Sequence, residues 1–124
     1  IDIIFELQRR HALGDGWSPC QADIARWTQG RIEAETALYD SIAAELARGY
    51  CEGRYSFTFC DDVVNALYHS MISRQAAEQP PAPWPKLFWR VFEAFDAGEL
   101  ASPSVPDPIR TYTDPEIAEI VRDL

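Results

Sequence analysis

Three groups of side chains carry the residue types and spacings that do chemistry. The first is Asp61, Asp62, Asn65 and His69. Asp62, Asn65 and His69 follow i, i+3, i+7 spacing, which lines one side of a helix. A histidine tuned by a carboxylate acts as a general base or binds a metal. Asp62 and His69 are therefore the candidate catalytic residues. Two helical turns separate them by about 10.5 Å, too far for a direct hydrogen bond. Asp61 and Asp62 also fall in a first helical turn, where carboxylates favour the helix dipole. A capped, solvated helix face is the simpler account of this group. No Glu-x-x-His or His-Glu-x-x-His pattern accompanies it.

The second group is Glu93, Asp96 and Glu99, spaced i, i+3, i+6. Three carboxylates near one helix end suit a hard cation. A plain ion pair between Arg90 and Glu93 accounts for part of the group without a ligand. The third group is built on Trp89, which lies on the same side as Lys86, Glu93 and Asp96 and away from its apolar neighbours. Trp and Arg dominate binding hot spots. Trp89, Arg90, Glu93 and Asp96 are thus candidate partner-binding residues, although a second packing contact explains Trp89 equally simply.

Nucleophilic catalysis finds little support. No Gly-x-Ser-x-Gly occurs, no Gly-rich phosphate loop, and no Cys beside a His in sequence. Cys51, between Gly49 and Gly53, is the one candidate reactive thiol. The cysteines are Cys20, Cys51 and Cys60, an odd, sparse set that argues against a disulfide framework and for a reducing compartment. Cys51 and Cys60 could pair only if the loop between them folded back. With no Cys-x-x-Cys and two distant histidines, no metal site and no cofactor is expected.

The elements that position these groups read as helices. Trp84, Leu87, Phe88, Val91 and Phe95 form one stripe over residues 84–98, with Phe92 on its edge. Adjacent apolar pairs rule out the period of two that a strand needs. Pro85 suits its first turn and Gly98 its stop. This aromatic helix is expected to be the one on which the others pack. Ile1 to Leu13 reads as a first helix capped by Asp2, with Arg9, Arg10 and His11 in the last turn, where cations suit the dipole. Ser18, Pro19 and Gln21 signal the next start. Cys20 to Tyr50 is helical, as one bent helix or two meeting at Gln29-Gly30. Arg31 and Glu35 interrupt its apolar stripe and read as solvated. Ser56 or Thr58 opens a helix from about Phe59 to Glu78. Residues 79–85, with four prolines in the run from Pro80 to Pro85, form a stiff connector. Residues 99–113 are irregular, with Ser-Pro, Val-Pro and Asp-Pro steps. Thr113 to Glu116 caps a short terminal helix carrying Ile117, Ile120, Val121 and Leu124.

The fold class is thus all-α: a single-domain bundle of four to five helices, with a proline-rich connector and an irregular segment before its terminal helix. The chain has 124 residues, a hydrophobic content of 47% and a net charge of −9. These values suit one globular domain. The charge speaks against binding nucleic-acid phosphates. No run is long enough to span a membrane, and no signal peptide is read. The expected setting is the cytoplasm of a bacterium. The leading expectation is a small acidic interaction protein, such as an inhibitor or immunity-like partner of a basic protein, since opposite charge speeds encounter. One alternative is a metal-dependent hydrolase using Asp62, His69, Glu93 and Asp96. Another is a self-associating subunit, a homodimer joined through an exposed Trp stripe. The missing catalytic signature favours binding over catalysis.

Overall fold

The computed structural model describes residues 2–77 and 82–124. All its regular structure is helical, in one compact body of six α-helices, one or two more than the sequence pattern suggests.

Helix α1 (Ile3–Leu13) starts where expected: the Asp2 carboxylate accepts from the Phe5 N–H at 3.0 Å. Its buried face is Ile4 and Leu7. The next helix, α2 (Gln21–Thr28), begins later than Ser18. Cys20 is its N-cap residue, and the Asp23 carboxylate reaches back to the Cys20 N–H at 3.0 Å. Asp23 also accepts two hydrogen bonds from Arg10, each at 2.9 Å. Glu6 and Arg26 complete a network that staples α1 to α2. So Arg10 serves a tertiary contact as well as the end of its own helix.

The chain then breaks, and two helices result. Gln29 adopts a left-handed conformation (φ 56°), which a helix cannot continue through, and Gly30 follows at φ 74°. A tight turn (Ile32–Ala34) leads into α3 (Glu35–Cys51). Glu35 departs from the solvated role expected of it. It is buried, and Arg74 binds it through Nη2 at 2.5 Å. Taking a carboxylate out of water is costly unless such a partner meets it.

Helix α3, rather than the aromatic helix, is the hub: it packs against α1, α2 and the three helices that follow. Its small residues explain this. Ala43, Ala47 and Gly49 are buried and let neighbouring helices approach closely. Gly49 lies inside the helix rather than at its end, because the Tyr55 ring occupies the place of a side chain; an added Cβ would lie 2.1 Å from Tyr55 Cε2.

Helix α4 (Phe57–Ala77) is capped by Ser56, whose Oγ accepts from the Phe59 N–H at 3.1 Å. Of the proline connector, Gln79, Pro80 and Pro81 lie outside the described residues, as does Glu78. Helix α5 (Lys86–Asp96) buries Phe88, Val91, Phe92, Ala94 and Phe95. Trp84 precedes the helix and is 41% exposed, so it does not extend the buried stripe. Gly98 does not end α5 by a left-handed turn. It is buried beneath Thr113, whose Oγ1 would sit 2.3 Å from an added Cβ. The segment expected to be irregular is so only in part: residues 109–113 form a wide, π-type turn (Ile109–Thr113) that runs into α6 (Asp114–Asp123). Thr113 stands at the N-cap position of α6, but its backbone is already helical and its side chain does not cap. It is fully buried and donates its hydroxyl proton to the Ala94 carbonyl at 2.7 Å, tying α6 to α5. Ile117 and Ile120 close the core from that side.

Candidate functional site

The start of α4 turns Asp61, Asp62 and Asn65 outward while Phe59, Cys60, Val63 and Val64 fill the core beneath. This is the division a helical period imposes on an amphipathic stretch. Three other segments converge on the same face. The last turn of α1 brings His11, the loop before α2 brings Trp17, and the chain leaving α5 brings Glu99 and Leu100. Together they shape an open cleft of about 620 Å³, walled by Trp17, Phe57, Asp61, Asn65, Glu99 and Leu100.

Its polar contacts run in two strands. His11 Nε2 faces Asp62 Oδ2 at 2.8 Å, and the imidazole sits edge-on to Trp17 and Phe59, with centroids at 4.9 and 5.3 Å. Two aromatic rings and one carboxylate thus fix the ring's orientation. In the second strand, the Asn65 amide donates to Asp61 Oδ1 at 3.2 Å and to Glu99 Oε2 at 3.0 Å. One neutral donor thereby holds two carboxylates close. The consequence is electrostatic. Burial, then the hydrogen bond that Asp61 makes to Glu99 while protonated, and the charges of Glu99, Asp62 and Asp96 push its carboxyl up to about 7. Among the described residues, no Arg or Lys lines the cleft.

The sequence-derived candidates are divided by the fold. Asp62 is in the cleft, but its partner is His11, from 51 positions away, rather than His69. His69 is exposed and turns from Asp62 into a shallow depression with Pro19, Gln21 and Ser73. Asp96 and Glu99 bear on Asp61, whereas Glu93 is exposed beside Arg90, Tyr112 and Glu116. The expected Arg90 to Glu93 pair is replaced by Arg90 to Glu116 at 3.0 Å and Arg90 to Asp123 at 3.3 Å, a clamp on α6. Trp89 is half-buried and stacks on Phe92 at 5.2 Å.

Among the described residues, no three His, Cys, Asp or Glu side chains gather as metal ligands would. Cys51 is an exposed free thiol, and Cys60 is a free, buried one that burial pushes up to about 12. His11 is the residue that local reading does not rank; Asn65 and Glu99 are candidates in separate groups, and their meeting depends on how α4 and the α5 exit dock. No protein family, curated protein or solved structure matches the chain.

Proposed function

We propose that the protein is a recognition module that receives a cationic group of a basic partner protein in the cleft of Asp61, Asp62, Asn65 and Glu99, in the manner of an inhibitor or immunity-like partner. The observation that supports this is the cluster itself: the Asn65 amide holds Asp61 and Glu99 together at 3.2 and 3.0 Å, and no Arg or Lys among the described residues lines the cleft. Carboxylates pushed together without a counter-charge hold an electrostatic cost that an entering ammonium or guanidinium removes. Trp17 and Phe57 add ring surfaces beside them, and a cation over such a ring gains about 0.5–1 kcal/mol at an exposed site. The net charge of −9 steers a basic partner towards the surface.

The reading is tested with a tetra-arginine peptide titrated into ¹⁵N-labelled protein at low and high salt. Shifts centred on the Asn65 amide and the Trp17 indole N–H are expected, weakening steeply with salt and strengthening as pH rises through about 7. Glu99→Gln removes one of the charges and weakens the complex. Shifts spread evenly over the surface, or an affinity indifferent to Glu99→Gln, overturn the assignment.

A second reading, acid–base catalysis, has one specific support: an Asp61 carboxyl near neutrality matches the range in which proton transfer is efficient. In that reading His11 and Asp62 replace the Asp62 and His69 pair. Turnover lost in Asp61→Asn, with a pH profile that turns near 7, would favour it over recognition.

A further inference from the structure

A second surface, independent of the acidic cleft, is built on α4 and α5. Four rings run across it without interruption. Trp84 meets Trp89 at 5.5 Å, Trp89 stacks on Phe92 at 5.2 Å, and Phe92 stacks on Tyr68 at 4.6 Å. The inner edge of this ladder rests on buried Phe88. Its outer edge is open: Trp84 and Ile72 are each 41% exposed, and Trp89 and Tyr68 are half-buried. Apolar surface of this kind gains by being covered.

The charges around the ladder say what covers it. Lys86, the only lysine in the chain, and Glu93 flank Trp89 on the outward stripe of α5, at i−3 and i+4. Both are exposed, and neither pairs with a described residue of opposite charge. Arg90, next to Trp89 in sequence, is by contrast held in ion pairs to Glu116 and Asp123. The midpoint of Lys86 and Glu93 lies between positions 89 and 90. A two-fold axis there, perpendicular to α5, exchanges positions 86 and 93. Two antiparallel copies of α5 therefore set Lys86 of each against Glu93 of the other, with the two Trp89 rings between the pairs. Asp96, further along the stripe, falls opposite the partner copy's proline segment rather than another acid. The surface is complementary to itself, as a two-fold interface requires.

We infer that the α5 face is the contact of a homodimer, with a second copy of this chain lying antiparallel across Trp89 and joined by two Lys86 to Glu93 pairs. A short helix bearing one aromatic ladder gives a modest, reversible interface, with a dissociation constant on the order of 10 µM.

Sedimentation velocity of the native chain from about 1 to 200 µM, in buffer that screens the overall acidic charge, tests this. A monomer–dimer equilibrium in that range is expected. Lys86→Glu and Glu93→Lys alter only exposed positions, so folding is retained. Each single change creates two like-charge contacts and weakens the dimer roughly tenfold. The double swap Lys86→Glu/Glu93→Lys restores both pairs and returns the native affinity. A native chain that stays monomeric to 200 µM overturns the inference. So does a dimer indifferent to the single changes, or one that the double swap fails to restore.

Discussion

Asp61→Asn should make the protein more stable at alkaline pH, although it alters a group in the candidate site. Asp61 is held up to about 7 by burial and by the carboxylates around it. Between the ordinary carboxylate range near 4 and that value, the folded chain keeps a proton that the unfolded chain has released. Native stability therefore falls as pH rises through this window, and the full cost stands above it. A carboxyl held at about 7 rather than near 4 corresponds to roughly 4 kcal/mol. Water reaches part of the carboxyl and screens the interaction, so about half of that, ~2 kcal/mol, is the working figure. Asparagine removes the charge and still presents an N–H to Glu99. With an unfolding entropy of about 2.1 cal/mol/K per residue, a chain of 124 residues should gain roughly 8 °C in Tm. The assay is thermal unfolding followed by circular dichroism at pH 8 and pH 4, variant against native at each pH. The gain should be present at pH 8 and nearly absent at pH 4, where folded Asp61 is protonated and unfolded Asp61 about half so. Asp62→Asn is the comparison: its charge bears on Asp61 less than burial and Glu99 do, so its gain at pH 8 should be only a small fraction of that of Asp61→Asn. An equal gain at both pH values, or a loss at pH 8, would refute the electrostatic account of the cleft.

Two further outcomes follow from packing and pairing. Gly98→Ala forces a methyl against Thr113 Oγ1 and Phe57, and Thr113 is held in place by its bond to Ala94, so denaturant unfolding should show a loss of about 1–3 kcal/mol. Asp23→Ala strips Arg10 and Arg26 of a shared acceptor and uncaps α2, at about 2–3 kcal/mol by urea unfolding at pH 7. Arg10 above all, with the Cys20 N–H and Arg26, holds the Asp23 carboxyl well below the usual carboxylate range. Its folded form therefore gives up its proton more readily than the unfolded form, and its contribution stands above about pH 4 and drains away below it. The loss in Asp23→Ala should accordingly shrink in acid, opposite in sense to Asp61→Asn.

The legible part of this fold is the part written in local periodicity. Phe88, Val91 and Phe95 recur at helical spacing, and so do Phe59, Val63 and Leu67; both sets are buried where the pattern puts them. Asp2 and Ser56 cap as their types suggest. The misread positions share a different cause. Gly49 resembles a helix end in sequence, yet it lies inside α3 and is small because Tyr55 fills its space; Gly98 does follow the end of α5, but the space it leaves is filled by Thr113. Glu35 looks solvated until Arg74, from 39 positions away, meets it. The same holds at the cleft: Asp62 was visible as a candidate, but local spacing offered His69, on its own helix, and had no means of proposing His11. Pairings set by helix docking leave no periodic trace.

Two aspartates in this chain show why the cleft reads as a site rather than as surface. Asp23 lies in a crowded polar network, and every cost of its burial is met: two arginines and a backbone N–H converge on its oxygens. Asp61 is also drawn partly out of water, yet its neighbours are Glu99, Asp62 and Asp96, and its donor is a neutral amide. The chain has arginines placed with care elsewhere, at Glu6, Glu35, Glu45 and Glu116. One such residue within reach of Asp61 would relieve it. The fold pairs Asp23 and Glu35 with arginines and leaves Asp61 without a cationic partner among the described residues lining the cleft, between two aromatic walls and open to solvent, which is what supports the proposed reception of a positive charge or transfer of a proton. The stabilising effect of Asp61→Asn and the weakening effect of Glu99→Gln on cation binding are thus two measurements of one quantity, and they should rise together with pH.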